Sequence, residues 1–340
     1  MTETKQEAFA YVADASRHGS MDAYLEGIIG PAFGEYRRAW YRASKERQDV
    51  EFPLYLSIES MMRCNYRCAM CTFGRPEELK DIVYPEVLSD AMYQSILDEV
   101  GEHYCPSAGL NMVNEPLLDK RMPDMIAGIM RAGVIDSRIN TNGSLLTADT
   151  ARRLIDAGLV RLYVGLDAAT PETYAKMRIG GDYDKVMRNV MTFLDIREKM
   201  GVRLPILRVS FVKTSINEIE VEAFHALWGN VADMVSIQEY MPPYMDSEGL
   251  AKHAKTKRIP ADYSCPQPFE RLGIKGNGDV HPCCAQFNYK IKAGSLHESS
   301  LHTIWHAETM RRLRDSMRAN TWRAHPVCNA CLTNSYLYGG

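Results

Sequence analysis

The sequence predicts an α/β fold with a parallel β-sheet, because short strand-like runs alternate with longer helical patterns from Leu54 onward. Six strand-like runs are rich in β-branched and aromatic residues: Tyr55–Glu59, Gly109–Val113, Arg138–Thr141, Leu162–Leu166, Leu207–Val212 and Met234–Glu239. The five helical patterns between them are Ser89–Val100, Asp119–Arg131, Thr147–Ala157, Asp184–Met200 and Glu218–Trp228. Strands that are joined through helices pair in parallel by right-handed crossovers.

Local signals support the boundaries of these elements. Thr147 is a suitable N-cap for the helix that follows it, and Gly158 is suited to end that helix. The residues before Glu51 form a helical, charge-mixed extension to which we assign no chemistry. After Tyr240 the alternation stops, and a polar connector leads to Ser264. We therefore expect an extension over residues 1–50, an α/β core over 51–240, a connector over 241–264 and a C-terminal module over 265–340.

Composition excludes several classes of protein. A chain of 340 residues is long enough for about two domains, and its net charge of −3 provides no broad basic field for a nucleic-acid duplex. No uninterrupted apolar run reaches the length of a membrane-spanning helix, and the polar N-terminus is not a secretory signal. Nine cysteines without an export signal indicate a cytoplasmic protein whose thiols are free or bind metal.

Three of the cysteines form one short motif, in which Cys64, Cys68 and Cys71 follow the first predicted strand. Parallel α/β sheets place their active sites at the carboxyl ends of the strands, so the motif lies where a site is expected. Three thiolates can hold three irons of a cubane cluster and leave the fourth iron open to a ligand. The alternative is a buried cysteine patch, or a zinc site with a distant fourth ligand.

The spacing of these cysteines resembles the CxxxCxxC loop of the radical S-adenosylmethionine (SAM) enzymes. In that family the open iron of a [4Fe-4S] cluster takes the amino and carboxylate groups of SAM, and one electron cleaves SAM to a 5′-deoxyadenosyl radical. The resemblance covers about residues 51 to 340. It implies an open, partial (β/α)6 TIM-like barrel with a small C-terminal iron–sulfur module.

Several segments after the strands resemble the SAM-binding turns of the family. Asn114 and Glu115 precede a proline, as in the Gly-Gly-Glu-Pro turn that receives the ammonium of SAM, although Val113 and Asn114 replace the two glycines. The alternative is that Glu115 only caps the next helix. Asn142 belongs to a Thr-Asn-Gly segment that is frequent in the family after its third strand, and by itself is only a turn.

The segment from Asp167 to Arg178 resembles the stretch after the family's fourth strand, where an arginine pairs with the SAM carboxylate. A guanidinium suits that role because its planar fork matches a carboxylate. Many relatives have a serine where Gly165 stands, so that contact to SAM is missing or replaced here. Met70 occupies a usually bulky apolar position that is predicted to lie against adenine, and a plain packing role is the alternative.

A second set of cysteines predicts a closed metal site near the C-terminus, formed by Cys265, Cys283, Cys328 and Cys331, with Cys284 as the alternative to Cys283. Physical chemistry alone leaves zinc as a strong competitor. The frame resembles the SPASM and shorter twitch modules of radical SAM enzymes, which hold auxiliary [4Fe-4S] clusters. The chain ends nine residues after the last of these cysteines, so the resemblance implies one auxiliary cluster. The histidines near this module, His281, His302, His306 and His325, are expected to be structural.

The resemblance also limits the chemistry. Relatives with one auxiliary cluster include enzymes that oxidise a hydroxyl-bearing carbon of a sugar-like or aminocyclitol small molecule to a ketone, in natural-product pathways such as antibiotic biosynthesis. Decarboxylation, elimination or epimerisation of such a substrate, or modification of a ribosomal peptide, is the alternative. Glu239 and Tyr240 close the sixth predicted strand and are candidates for the catalytic base by position only; a salt-bridged or capping role is the alternative. Flavodoxin or ferredoxin is the expected reducing partner.

Overall fold

The computed structural model describes residues 12–74, 86–240, 263–283, 291–329 and 331. Within these residues one mixed sheet contains ten strands: β1 (Val12–Ser16), β2 (Tyr55–Ile58), β3 (Ser107–Gly109), β4 (Asp136–Thr141), β5 (Arg161–Gly165), β6 (Ile206–Lys213), β7 (Met234–Glu239), β8 (Arg271–Ile274), β9 (Asp279–His281) and β10 (Gly294–Ser295). The helices are α1 (Met21–Ile29), α2 (Pro31–Glu46), α3 (Asp90–Glu102), α4 (Met122–Arg131), α5 (Ala148–Asp156), α6 (Pro171–Met177), α7 (Tyr183–Lys199), α8 (Val221–Trp228), α9 (Gln267–Glu270), α10 (Leu301–Trp305) and α11 (Glu308–Arg318). In these parts of the chain, no helix has both the length and the apolar character that crossing a membrane requires.

Strands β2 to β7 form the centre of the sheet and pair in parallel in their order along the chain. The ladder is not closed, because the two outer members of this group, β2 and β7, each pair with a further strand of the sheet. This arrangement confirms the predicted open, partial barrel of parallel strands. The apolar faces of the strands and of the helices between them share one continuous core.

Five of the six predicted strands agree with the structure to within two residues at each end, and the second is displaced. It was expected at Gly109–Val113 but occupies Ser107–Gly109. Beyond β3, Leu110 still donates to the carbonyl of Arg138, and then Val113 donates to the carboxylate of Glu59 instead of a neighbouring strand. A buried side chain therefore takes over the hydrogen bonds that would have continued the ladder.

The predicted helices are present, and α6 is an additional short helix. The Thr147 hydroxyl accepts a hydrogen bond from the Thr150 amide at 3.2 Å, which confirms the expected N-cap of α5. Gly158 has φ +83° just beyond that helix, as expected for a residue that ends it. Helix α8 begins at Val221, three residues later than the expected start, because a turn of 3₁₀-helix precedes it.

The N-terminal extension contains helices α1 and α2, as expected, and also the strand β1. This strand pairs antiparallel with β7, from Val12 opposite Gln238 to Ser16 opposite Met234. Its sequence, Val-Ala-Asp-Ala-Ser, has little intrinsic preference for a strand. The strand forms because this segment lies beside β7, whose outer edge would otherwise be unpaired. The local sequence pattern gives no information about that position.

At the other end of the central sheet, β8 pairs in parallel with β2, from Tyr55 opposite Arg271 to Ile58 opposite Ile274. Strands β9 and β10 then continue the sheet as antiparallel neighbours. The C-terminal module is thus joined to the barrel strands through backbone hydrogen bonds. The proposed boundaries at residues 50, 240 and 264 stay predictions, and nearly all of the connector lies outside the described residues.

Candidate active site

The loop that follows β2 carries Cys64, Cys68 and Cys71. The Cys71 amide donates to the Cys68 carbonyl at 3.0 Å, and the Gly74 amide donates to the Cys71 carbonyl at 2.9 Å. A Cβ at Gly74 would lie 2.3 Å from the Cys68 carbonyl oxygen, so only glycine permits this winding of the loop. The tight turns keep Cys68 and Cys71 close enough to Cys64 for both to raise the pKa of its thiol.

Burial is the main reason that the pKa of the Cys64 thiol is raised to about 12, and the neighbouring Glu115, Cys68 and Cys71 raise it further. Burial also raises the pKa of Cys68, against the lowering effect of Arg178. Neighbouring thiols of this kind, of which Cys68 is buried and Cys64 and Cys71 are half-buried, suit a cationic metal centre, which binds them as thiolates and displaces their protons. The residues present therefore fit a three-thiolate iron–sulfur site.

The same loop is fastened to the residues that end α6. The Arg67 amide donates to the Ile179 carbonyl at 2.9 Å, and the Ala69 amide donates to the Met177 carbonyl at 3.0 Å. These bonds place Arg178 directly beside the cysteine loop, although 107 positions separate Arg178 from Cys71. Two segments that the sequence analysis assigned separately thus form one site.

Glu115 lies at the centre of this site and is 2 % exposed. One carboxylate oxygen accepts hydrogen bonds from the Thr141 hydroxyl at 2.7 Å and the Leu117 amide at 3.1 Å, and the other accepts from the Asn142 amide at 2.7 Å. The bond to Leu117 is the capping contact that the alternative interpretation foresaw. The other two bonds tie the Glu115 turn to the end of β4, which the capping interpretation does not require.

Asn114 offers a free acceptor beside this carboxylate. It is buried, and its Oδ1 atom has no hydrogen-bond partner within the described residues. A buried acceptor without a partner costs free energy unless a ligand supplies the donor. An incoming ammonium group would supply it, so the geometry fits the expected role of this turn.

Glu59 is a residue of the site that the sequence analysis did not single out. Its carboxylate accepts hydrogen bonds from the amides of Val113 at 2.9 Å and Asn114 at 3.0 Å, and so it holds the turn in place. Burial raises the pKa of Glu59 to about 7. The signal in the sequence was an acidic residue that directly follows a buried parallel strand, at the edge where such sheets place their sites.

Asn142 joins the third strand end to the cysteine loop. Its side-chain amide donates to Asn65 Oδ1 at 2.8 Å, and its own Oδ1 accepts from the Ser144 amide at 2.9 Å. Asn65 in turn donates to the Ser144 hydroxyl at 3.0 Å. The predicted site residue is therefore present at the site, where it fixes the loop that carries the cysteines.

Arg178 and Asp167 form an ion pair, with 2.6 Å between Arg178 Nη2 and Asp167 Oδ2. Asp167 is fully buried in the left-handed region at φ +59°, and its other oxygen accepts from the Val212 amide at 2.7 Å. Burial raises the pKa of Asp167, and the positive charge of Arg178 opposes that shift. Arg178 Nη1 also lies 3.7 Å from the Cys68 sulfur, and the buried Nε has no hydrogen-bond partner among the described residues.

Gly165 provides the space for this guanidinium. A Cβ at this position would lie 2.1 Å from Arg178 Nη2, so any larger residue would displace the arginine. The glycine that departs from the family pattern is thus matched to the position of Arg178. The guanidinium occupies the space that a side chain at position 165 would need.

We expect Gly165→Ala to weaken SAM binding, because the new methyl group would push the Arg178 guanidinium away from Asp167. The cost of adding a methyl to a filled site is about 1–3 kcal/mol, which corresponds to roughly a tenfold to hundredfold loss of affinity. Equilibrium dialysis of the anaerobic holoenzyme with SAM measures this loss. Gly27→Ala in helix α1 is the control, because a Cβ there meets nothing within 4 Å and its backbone is helical. Unchanged SAM affinity in Gly165→Ala would contradict the proposed use of Arg178.

Met70 packs against Tyr240 in a small apolar cluster that also contains Ala69, Val212 and Ile216. This contact corresponds to the packing role that was left open for Met70, and its predicted approach to adenine stays a prediction. Glu239 forms an ion pair with Lys213 across β6 and β7. That pair corresponds to the salt-bridged alternative for Glu239, so its role as a base is likewise a prediction.

The C-terminal cysteines form a second centre. Burial raises the pKa of Cys265 to about 12, and the nearby Cys331 and Cys328 raise it further. Cys283 follows β9, with its carbonyl oxygen against Gly273 of β8. Cys284 lies outside the described residues, so the choice between Cys283 and Cys284 as a ligand stays a prediction.

Comparison with known families gives two matches that together cover both cysteine centres. The family described as the radical SAM superfamily matches residues 58–208, and the SPASM family, described as an iron–sulfur cluster-binding domain, matches residues 265–332. These families assign the chain a SAM-binding [4Fe-4S] cluster, an auxiliary iron–sulfur cluster and SAM itself.

Curated relatives point to the same superfamily. A GTP 3′,8-cyclase of Picosynechococcus sp. is 31% identical over 236 residues, which are 66% of this chain and 68% of the relative. A probable GTP 3′,8-cyclase of Methanococcus maripaludis is 29% identical over 181 residues, 53% of this chain and 56% of the relative. The chain thus spans little more than half the length of some curated relatives that it matches.

Solved structures share the fold. BtrN in complex with AdoMet and 2-DOIA superposes with a TM-score of 0.53 at 18% identity, covering 84% of this chain and 94% of BtrN. Streptococcus suis SuiB bound to the precursor peptide SuiA has a TM-score of 0.61 at 16% identity, covering 91% and 76% of the two chains. The cysteine loop, the open parallel sheet and the two family matches agree, and the chain belongs to the radical SAM superfamily, with a SPASM iron–sulfur cluster-binding domain at its C-terminal end.

Proposed function

We propose that this enzyme oxidises a hydroxyl-bearing carbon of a sugar-like or aminocyclitol small molecule to a ketone. The observation that carries the proposal is the module with Cys265, Cys328 and Cys331, which matches the iron–sulfur cluster-binding family and whose strand β8 pairs with β2 of the barrel. A site closed by thiolates binds no substrate directly, but it can exchange electrons with a neighbouring site.

Cys64, Cys68 and Cys71 would hold the SAM-binding cluster, and Cys265, Cys328 and Cys331 would provide three ligands of the auxiliary cluster. When bound, the first cluster supplies the electron that cleaves SAM, and the second accepts the electron that the substrate gives up. The substrate carbon loses a hydrogen atom to the 5′-deoxyadenosyl group, the hydroxyl loses a proton, and a C=O bond forms. A flavodoxin or ferredoxin is the reducing partner that we propose.

The residues of the chain bind and orient the reactants. In this proposal Asn114 Oδ1 accepts a hydrogen bond from the SAM ammonium and Arg178 receives the SAM carboxylate, which is supported by the lack of a hydrogen-bond partner for Asn114 Oδ1 and Arg178 Nε among the described residues. Glu239 is our candidate for the group that takes the hydroxyl proton. It would have to exchange its ion pair with Lys213 for a hydrogen bond from the substrate hydroxyl.

The fold supports a small substrate. The BtrN structure contains 2-DOIA and AdoMet, and the match with this chain covers 94% of the BtrN chain. The SuiB structure, which contains a precursor peptide, is covered to 76%. We therefore screen polyhydroxylated cyclitols and aminocyclitols first, and peptides second.

The experiment that tests this proposal follows the substrate by mass. The anaerobically reconstituted enzyme is incubated with SAM, a reductant and a panel that begins with 2-DOIA, and products are analysed for the loss of two hydrogen atoms. Transfer of deuterium from the labelled carbinol carbon into 5′-deoxyadenosine identifies the carbon attacked. SAM cleavage without any product lighter by two hydrogens across the panel would contradict the proposed oxidation.

A second candidate is the cyclisation of GTP, because the curated relatives are GTP 3′,8-cyclases and one of them is 31% identical over 68% of its length. The two candidates differ in the substrate that stimulates SAM cleavage. GTP-dependent formation of 5′-deoxyadenosine, with conversion of GTP to a product of unchanged mass, would favour the cyclase. Stimulation by cyclitols alone would favour the oxidase.

We expect Cys328→Ala to leave measurable SAM cleavage and to abolish substrate oxidation, because the variant loses one ligand of the proposed electron acceptor. Iron content should fall by about half, since each of two clusters carries four irons. The matched control is Cys105→Ala, which removes a buried thiol whose sulfur lies 3.6 Å from the Ser107 carbonyl oxygen, next to β3. Full product formation by Cys328→Ala would remove the electron-acceptor role.

A further inference from the structure

We propose that Glu51, His302 and His306 form a binding site for one zinc ion, separate from both cysteine centres. The three side chains bring a carboxylate oxygen and two imidazole nitrogens within 4.8 Å of one another. Imidazole and carboxylate are the ligands that zinc takes besides thiolate, and three protein ligands leave one position for water. The site has no part in the proposed oxidation.

The distances suit a single ion. Glu51 Oε1 lies 3.0 Å from His302 Nε2 and 3.8 Å from His306 Nε2. Ligands that are about 2.0–2.1 Å from a tetrahedral ion lie roughly 3.3 Å apart, which is between these two values. The histidines stand four positions apart, at α10 and the residue that follows it, so one helical turn presents both rings on the same side.

The backbone on both sides of the site is fixed independently of any metal. Glu99 accepts hydrogen bonds from the amides of Leu301 at 2.7 Å and His302 at 2.8 Å, which anchor the first turn of α10. The fully buried Trp305 donates from Nε1 to the Val50 carbonyl at 2.8 Å, beside Glu51. A ligand set on rigid supports loses little freedom when it binds an ion.

Ring stacking also restricts His302. The His103 ring stacks on the His302 ring with 4.6 Å between centroids and 17° between planes. The Phe52 ring stacks in turn on His103, at 4.9 Å and 26°. The hydrogen bond from His302 lowers the pKa of the Glu51 carboxyl. An anionic oxygen and two nitrogens from oriented rings are a more specific arrangement than a surface ion pair.

The location gives the site a consequence. Glu51 precedes β2, whereas the cysteine loop follows it, and the four residues of β2 span roughly 13 Å. A metal here would join α10 of the C-terminal module to the chain that enters the first barrel strand. We infer that the ion would hold these two parts together at the amino-terminal ends of the parallel strands, whereas the active site lies at their carboxyl ends.

The test uses the reconstituted holoenzyme, titrated anaerobically with Zn²⁺ by calorimetry, in the wild type, His302→Ala and Glu51→Gln. We expect one equivalent to bind in the wild type, with affinity at least about tenfold weaker in both variants, as metal sites lose when supporting groups are removed. His297→Ala is the control, because the His297 ring lies 3.2 Å from the Asn277 carbonyl oxygen in the same module and is not one of the three proposed ligands. Glu51 is 80% exposed, so Glu51→Gln does not endanger folding.

X-ray absorption at the zinc edge identifies the ligands of the bound ion. Nitrogen and oxygen neighbours at about 2.0–2.1 Å, with imidazole scattering lost in His302→Ala, would support the site. Sulfur neighbours at about 2.3 Å would show zinc in the cysteine centres and overturn the proposal. Equal affinity in wild type and both variants would overturn it as well, and the iron content of each preparation verifies that the holoenzyme is intact.

Discussion

Replacing Cys64, Cys68 or Cys71 with alanine is expected to reduce the cleavage of SAM to 5′-deoxyadenosine to background. The three thiols lie on one loop, with Cys68 and Cys71 close enough to Cys64 to raise the pKa of its thiol. A cluster that lacks one of three protein ligands loses the arrangement that leaves one iron open to SAM. The measurement is 5′-deoxyadenosine formed under dithionite by each variant after anaerobic reconstitution.

The control for this experiment is again Cys105→Ala, whose thiol lies outside both centres and should leave cleavage unchanged. Iron and zinc analysis of each variant separates loss of the first cluster from loss of the fold. A triple variant that retains about half of the iron retains the C-terminal cluster. Retained SAM cleavage in any one of the three single variants would break the central assignment.

Asp167→Asn is expected to destabilise the protein by about 3 kcal/mol and to weaken SAM binding, because it leaves Arg178 largely buried without its partner. Asparagine tolerates the left-handed conformation of this position, so the substitution tests the charge and not the backbone. The double variant Asp167→Asn/Arg178→Gln should lose less free energy of unfolding than the two single variants lose together, because no unpaired charge remains. Anaerobic thermal unfolding and SAM dialysis measure the two effects.

Asp136→Asn is the matched control, because Asp136 forms an equally buried pair with Arg161, at 2.5 Å, where β4 and β5 begin. It should lower stability to a similar extent and leave SAM affinity unchanged, since it lies at the opposite ends of the strands. Equal loss of SAM affinity in both variants would mean that Asp167 acts only through stability. Unchanged affinity in Asp167→Asn would show that Arg178 needs no partner to bind SAM.

The sequence predicted the parallel barrel strands well, because each is a short apolar run with helical periodicity on either side. Its cysteine spacing also located the first site, since the ligands lie within eight consecutive residues. Thr147 and Gly158 marked the ends of α5 through local hydrogen bonding and backbone conformation, both of which are properties of a few adjacent residues.

Features that depend on distant partners were not predictable in this way. Strand β1 exists because β7 offers an open edge, and β3 ends early because Glu59 takes up the amides beyond it. The match between Gly165 and Arg178 needs coordinates, since the sequence shows only that a glycine stands where a serine is frequent. The cluster of Glu51, His302 and His306 joins residues about 250 positions apart, and no local pattern indicates it.

The parallel pairing of β8 with β2 has a consequence for how charge would move through the molecule. The hydrogen bonds of this ladder tie the module that carries the second cysteine centre to the strand that leads into the first. A backbone ladder of this kind permits little relative movement, so the sheet, and not diffusion of one part toward another, would set the distance of the proposed electron transfer. The internal transfer rate should therefore be indifferent to solvent viscosity, and turnover would respond to glycerol only through substrate entry and product departure.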